Sequence, residues 1–307
     1  MIKYIPVLLF FLLPFEHADR DRSVTFLVVA DTHYGLDQWA DNEALNKAAI
    51  DRMNAIPGTS YPPDAGGGYV DLPRGVLVAG DLTDTGEKSN WYGYWFFGHR
   101  DGFINDYALD GQGRIDYQVY EGYGNHDIHS PATGEVLSGI KERNTQRRDL
   151  TGLSVNGLHY SWDWNQVHFV NLNIYPGGPG DAEDSLTFLI QDLASHVGTS
   201  QRPVVIYHHY GLDPSGQSWW TQAERQAYYA VIEDYNVLGI FNGHNHNTSH
   251  RIWKGIDTYN VGRAKDQTFL VVNITANKMV VVERDHDDWG KVWVKKWKKK
   301  AVPLPAR

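Results

Sequence analysis

Val24-Thr25-Phe26-Leu27-Val28-Val29-Ala30-Asp31-Thr32-His33 is the stretch on which the fold turns. Up to Ala30 it is apolar or β-branched almost without a break, too short for a typical helix and well suited to a strand buried on both faces. Strands of that kind lie inside parallel sheets, and open α/β sheets bind ligands beyond the carboxyl ends of their strands. What this strand delivers to that edge is an acid and an imidazole, Asp31 and His33.

The same punctuation recurs along the chain. Residues 75–79 lead into Gly80-Asp81, 119–123 into Gly124-Asn125-His126-Asp127, 204–207 into His208-His209, and 237–241 into Gly243-His244-Asn245-His246. One site assembled from several strand-end loops follows. Helices are expected at 42–56, 185–197 and 221–235, the last opened by Thr221 and Glu224 at capping-box spacing. After Gly243 the runs 248–253, 258–261, 268–274, 278–284 and 291–297 have strand character and are expected to form an antiparallel meander closing a second sheet. A hairpin of 158–162 and 167–172, joined by 163–166, is expected in that same sheet. The segments 57–73 and 90–113, rich in Gly, Pro, Asp and aromatics, read as surface loops over the strand ends and as candidates for substrate selection.

At 307 residues the chain exceeds a typical domain, but α/β folds with elaborated loops hold that length around one core, so one domain is expected over 19–307. A net charge of −9 gives no bulk support for a nucleic-acid or anionic-membrane partner. The basic run 295–300 is short enough to read as the end of a solvated strand. Cysteine is absent, which excludes disulfides, a thiolate nucleophile and a zinc–thiolate site. Met1-Ile2-Lys3, the apolar run 4–15, Ala18 and the charged residues after it resemble a secretory signal over 1–18, implying a secreted or periplasmic protein without a stable membrane span. Glu16 stands where cleavage favours a small residue, so a buried N-terminal strand and an uncleaved anchor remain alternatives.

The strand-end residues are a metal-ligand inventory. Asp31 and His33 can face one ion from a single turn, Asp81 has two oxygens with which to bridge two ions, Asn125 offers a neutral oxygen, and His209, His244 and His246 offer imidazoles. Mixed nitrogen and oxygen ligands suit Zn, Mn, Fe or Co rather than Ca or Mg. The doublet His208-His209 is ambiguous, because neighbouring strand residues point to opposite faces.

Taken in order, Asp31-Thr32-His33, Gly80-Asp81-Leu82-Thr83-Asp84, Gly124-Asn125-His126-Asp127, His208-His209 and Gly243-His244-Asn245-His246 resemble the signature of the calcineurin-like metallophosphoesterases. The resemblance implies a four-layer αββα sandwich of two mixed β-sheets flanked by helices. It also implies a first ion held by Asp31, His33, Asp81 and His246, and a second by Asp81, Asn125, His209 and His244. The ions, of Mn, Zn or Fe, would share a hydroxide that attacks phosphorus in line, with no covalent phosphoenzyme. His126 would serve the leaving group by donating a proton or stabilising developing charge, its ring oriented by Asp127, and Asp84 reads either as a related support or as a turn former. By the family's spacing, with Gly211 two residues on, His209 is the ligand and His208 a packed histidine. Asp84 stands where purple acid phosphatases have Tyr and His33 where they have Gly, so a tyrosinate-bound ferric ion is not expected. His-Tyr-Gly also lacks the Pro of many cyclic-nucleotide phosphodiesterase relatives.

The implied activity is hydrolysis of a small phosphomonoester or phosphodiester, with a phosphoprotein phosphatase or a catalytically silent metal-dependent binding module as alternatives. His99, His129, His159, His168, His196, His250 and His286 read as surface or core histidines, and Arg263 as a surface ion pair rather than a phosphate ligand. Trp91, Tyr92, Trp95, Trp219 and Trp220 are candidates both for lining a leaving-group pocket and for ordinary packing. Oligomeric state has no signal in the sequence.

Overall fold

The computed structural model describes residues 23–36, 41–93, 102–128, 134–178 and 184–298. The expected signal at 1–18 and the middle of the 90–113 insertion lie outside the described residues. β1 (Val24–Val29) pairs in parallel with β2 (Val76–Ala79), and β2 with β3 (Val119–Gly122). On its other side β1 pairs antiparallel with β11 (Thr268–Ile274), which continues to β12 (Lys278–Asp285) and β13 (Asp288–Lys296), giving a six-stranded sheet. The second sheet has seven strands in the order β4 (Leu150–Leu153), β5 (Tyr160–Trp164), β6 (Val167–Asn171), β7 (Pro203–Tyr207), β8 (Asn236–Asn242), β10 (Ile256–Asn260) and β9 (Ser249–Trp253). Strands β6, β7, β8 and β10 are mutually parallel and the others antiparallel, so both sheets are mixed.

Period-two side-chain alternation explains why β1 is apolar throughout. Phe26 and Val28 face the second sheet and share one core with Phe169, Val205, Tyr207 and Phe241. Leu27 and Val29 face the other way and join Ile50 and Met53 of α1 (Asn42–Asn54). The second sheet repeats the device: Val204 and Ile206 join Leu189 of α3 (Ser185–Asp192) and Ile232 of α4 (Gln222–Ile232) in the helix-facing core. The expected αββα layering is therefore present. Aromatic rings stitch the two sheets together, with Tyr120 stacked on Trp162 at 4.0 Å and Phe26 edge-on to Phe169 at 5.2 Å. Such pairs contribute about 0.5–1.5 kcal/mol each beyond their burial. The remaining long helix, α2 (Gly134–Gln146), is clamped to β3 by the fully buried Glu121, which accepts from Arg143 Nε at 2.7 Å and from Arg147 Nη2 at 2.6 Å.

The expected single meander is corrected. Strands β9 and β10 extend the second sheet beside β8, whereas β11 to β13 belong to the first sheet beside β1. The chain changes sheets after β10, where Arg263 bridges to Ala30 and Ala264 N donates to the Ala30 carbonyl at 3.0 Å. The hairpin β5–β6 accordingly shares a sheet with β9 and β10 but not with the later strands. Its connection is shorter than expected, because Trp164 and Val167 pair and Asn165 takes the turn at φ +54°. Helix α3 ends early in a wider π turn at Leu193–Val197. No helix among the described residues is long and apolar enough to cross a membrane.

Candidate metal centre

The loops after β1, β2, β7 and β8 bring Asp31, His33, Asp81, His209, His244 and His246 together. Asp31, His33, Asp81 and His246 each offer a ligand atom within 4.8 Å of the others, and Asp81, His209 and His244 do the same. Asp81 belongs to both groups. Asp31, His33, Asp81, His244 and His246 all have positive φ, between 44° and 72°. Non-glycine residues pay for that conformation with strain, which concentrates where a site over-determines the backbone. Here the backbone hydrogen bonds do so: Asp31 N donates to Gly80 O, His33 N to Asp81 O, and His244 N to both Asp31 carboxylate oxygens at 3.1 and 3.0 Å.

The ring nitrogens are set for ligation. His209 Nδ1 donates to the Ala79 carbonyl at 2.8 Å, and a carbonyl can only accept, so the neutral ring keeps its lone pair on Nε2. That Nε2 lies 3.0 Å from Asp81 Oδ2 but is too poorly aligned for a hydrogen bond. Asn125 Oδ1 is likewise buried without a hydrogen-bond partner. The Nε2 atoms of His33 and His246 stand 3.3 Å apart, each facing Asp31 Oδ1. Orphaned buried acceptors are costly, and cations between them remove that cost, so the donor set fits metal ions.

Charge is also separated within the cluster, where the proton that Asp81 draws onto His209 occupies the nitrogen an ion would take. Burial on its own disfavours the charged His209 ring, but Asp81 overrides it and lifts the ring to about 9, while the buried Asp81 carboxyl, facing His209, is held below its ordinary range. His244 is pushed down to about 4 by burial and by His209, so it is a neutral donor at neutral pH. His208 turns away. It is fully buried against Trp220 and Tyr228, accepts from Asn242 Nδ2 at 3.0 Å, and is pushed by burial to about 3.

The ring partner expected for His126 is replaced. Asp127 is fully buried and accepts from Leu82 N, Thr83 N, Thr83 Oγ1 and Gly124 N at 2.8–3.1 Å, tying the β2 loop to the β3 loop. Burial, and then Asp81, raises its carboxyl to about 6. His126 Nδ1 instead pairs with the Asp84 carbonyl at 2.7 Å, and the Asp84 carboxylate stands 3.6 Å from that nitrogen and 3.4 Å from His33 Nδ1. His126 N also donates to Asp81 Oδ1 at 2.9 Å.

Sequence reasoning missed the groups that hold the ligands. Asn42 and Asn46 of α1 donate to the carbonyls of His33 and Thr32 at 2.9 and 2.6 Å. A Cβ at Gly243 would lie 2.6 Å from Asp31 Oδ2, and one at Gly124 would collide with Asp81. Glycine immediately before three of the five blocks, at Gly80, Gly124 and Gly243, was the available signal. Of the other histidines, His159, His168, His196, His250 and His286 lie outside the clusters of ligand atoms, while His99 and His129 fall outside the described residues. Arg263 pairs with Asp266 at 2.9 Å. Trp91 and Trp220 are buried, Trp95 lies outside the described residues, and Trp219 is exposed.

Comparison with known proteins adds a family and a fold. The family described as calcineurin-like phosphoesterase matches residues 24–248. A dimetal phosphatase from Danio rerio is 15% identical, with a TM-score of 0.60, over 90% of this chain and 99% of that one. GAP50, described as the anchor in the inner membrane complex of Plasmodium, is 12% identical, with a TM-score of 0.56, over 92% of this chain and 90% of that one. Among curated proteins none matches the sequence. At these identities the two structures speak for the shared fold alone.

Proposed function

The chain belongs to the calcineurin-like phosphoesterase family, and from that premise we propose that it hydrolyses small phosphomonoesters or phosphodiesters with two transition-metal ions, Mn, Zn or Fe. The observation that carries this reading is the membership of Asp81 in both ligand groups. Asp31, His33, Asp81 and His246 would hold one ion, and Asp81, Asn125, His209 and His244 the other. Bound there, such ions supply Lewis acidity and lower the pKa of water to about 7.

The chain's own groups do the rest. The Ala79 carbonyl keeps the His209 proton on Nδ1 and its lone pair toward the centre. Asp127 fixes the two loops that carry Asp81 and Asn125. His126, half-exposed and held at Nδ1 by the Asp84 carbonyl, would exchange a proton with a leaving-group oxygen through its other ring nitrogen. The resemblance of 1–18 to a secretory signal supports a secreted or periplasmic setting, which N-terminal sequencing of the mature protein tests.

Metal analysis of the purified protein should find about two ions per chain. Chelation should abolish turnover of p-nitrophenyl phosphate and bis(p-nitrophenyl) phosphate, and Mn, Zn or Fe should restore it. Turnover that survives complete metal removal would overturn the proposal. Ions without turnover of any ester would instead favour the silent binding module, a role compatible with a fold shared with a protein described as an anchor.

A further inference from the structure

We propose that Trp219 sets the specificity of this centre, its outward ring forming a platform for a planar aromatic or heteroaromatic group attached to the substrate phosphate. The proposal rests on the reading of the centre as a phosphoesterase site. A single apolar side chain left in water is ordinary on a protein surface, so what marks Trp219 is the place where it stands. Trp219 is 53% exposed, yet its ring centroid lies 4.7 Å from that of His244, with the planes at 85°. An open indole therefore stands directly against one of the residues assigned to the second ion.

The ring has a rigid backing. Tyr210 is buried behind it, 5.7 Å from Trp219 and 4.8 Å from His244, and Tyr175 stacks on Tyr210 at 5.6 Å. Trp219 closes the 3-10 turn Gly216–Trp219, and that turn is tied down at both ends. Asp213 Oδ1 accepts from Ser215 N at 2.9 Å and Gly216 N at 3.2 Å, and Arg225 Nη1 of α4 donates to the Gln217 carbonyl at 2.6 Å and to the Trp220 carbonyl just past the turn. The other oxygen of Asp213 accepts from Asn245 Nδ2 at 2.5 Å, and Asn245 lies between the ligands His244 and His246. The platform and the ligand loop are thus one hydrogen-bonded unit, so the ring is presented to a ligand without a further ordering cost.

Packing does not account for this placement. The neighbouring Trp220 performs the packing role: it is 5% exposed, donates from Nε1 to the Gly211 carbonyl at 3.2 Å and lies against His208 and Tyr228. Consecutive tryptophans are divided between an anchor turned inward and a surface turned outward. Indole carries no charge, so it selects by shape and polarisability. A flat π-system stacks on it, whereas a small alkyl group gains little.

The test uses the manganese-loaded full chain and two probes without an ester bond, phenylphosphonate and methylphosphonate, titrated calorimetrically into wild type, Trp219→Ala and Trp219→Phe. Wild type should bind phenylphosphonate about tenfold more tightly than methylphosphonate, the scale of a good aromatic contact plus its burial. Trp219→Ala should lose that preference with methylphosphonate affinity unchanged, and Trp219→Phe should restore most of it. With phenyl phosphate as substrate, Trp219→Ala should raise KM and leave kcat nearly unchanged. Equal binding of both probes by wild type, a preference that survives in Trp219→Ala, or equal weakening of both probes in that variant would each overturn the platform. A wild type that shows the preference but hydrolyses no phosphoester would support the platform while sinking the phosphoesterase reading.

Discussion

A carbonyl oxygen has no proton to give, so the 2.7 Å contact from His126 Nδ1 to the Asp84 carbonyl fixes the tautomer of that ring. The same side chain is 39% exposed, so a leaving group can reach it. Replacing His126 by Ala should therefore leave metal content unchanged and lower kcat by about 10²–10⁴-fold, most severely for esters with poor leaving groups. Metal analysis beside kcat for esters of graded leaving-group pKa checks this, and a parallel loss of metal would show His126 to be a ligand. The ligand types were legible in the sequence because each stands directly after an apolar strand. The partner of His126 was not. Asp127 follows it within the 3-10 turn His126–Ile128, where successive side chains diverge by roughly 120°. Adjacency there sends Asp127 into the β2 loop and leaves the ring to Asp84, a residue remote in sequence.

Strand ends build the centre, and glycines let them approach. Gly243 ends the approach of β8 to β1, with space for a hydrogen but not for a methyl group beside Asp31. Gly243→Ala should displace the Asp31 carboxylate or the His244 backbone that donates to it, weakening metal affinity about 10–100-fold, the usual scale for disturbing a ligand's support. Competitive chelator titration of wild type and variant reads this directly, and unchanged affinity would show that the loop shifts without disturbing the ligands. Local signals predicted elements well at this scale. Thr221 and Glu224 form the expected capping box, with Glu224 N donating to Thr221 Oγ1 at 3.2 Å and Thr221 N to Glu224 Oε2 at 2.7 Å. Sheet membership was not local. The runs at 249–260 and 268–296 carry the same alternating character, and what separates them is the bridge of Arg263 to Ala30, a contact across the whole chain. The buried Glu121 was equally hidden, since its partners, Arg143 on α2 and Arg147 just beyond it, are remote in sequence and follow a loop.

A second titrating cluster, outside the proposed centre, joins a sheet to its covering helix. His168 on β6 is fully buried, with Nδ1 2.7 Å from Asp163 of β5 and Nε2 2.7 Å from Asp192 at the end of α3, so one ring joins two strands to the covering helix. Burial alone would lower its pKa, but the two carboxylates outweigh it and the net shift is upward. A folded-state pKa above the unfolded value of about 6.5 means that folding binds a proton. The resulting stabilisation is fully present below about pH 6.5 and fades as pH rises through the raised folded pKa. Wild type should accordingly exceed His168→Gln in unfolding free energy by about 1.5–3 kcal/mol at pH 6, the range for hydrogen bonds to charged groups, and by less at pH 9. Urea denaturation of both proteins at the two pH values, at one fixed metal concentration, isolates the effect, because titrations shared by the two proteins cancel in the difference. A gap that stays constant or widens toward pH 9 would mean that His168 is neutral in the folded state, its contribution then coming from shape and neutral hydrogen bonds rather than from charge.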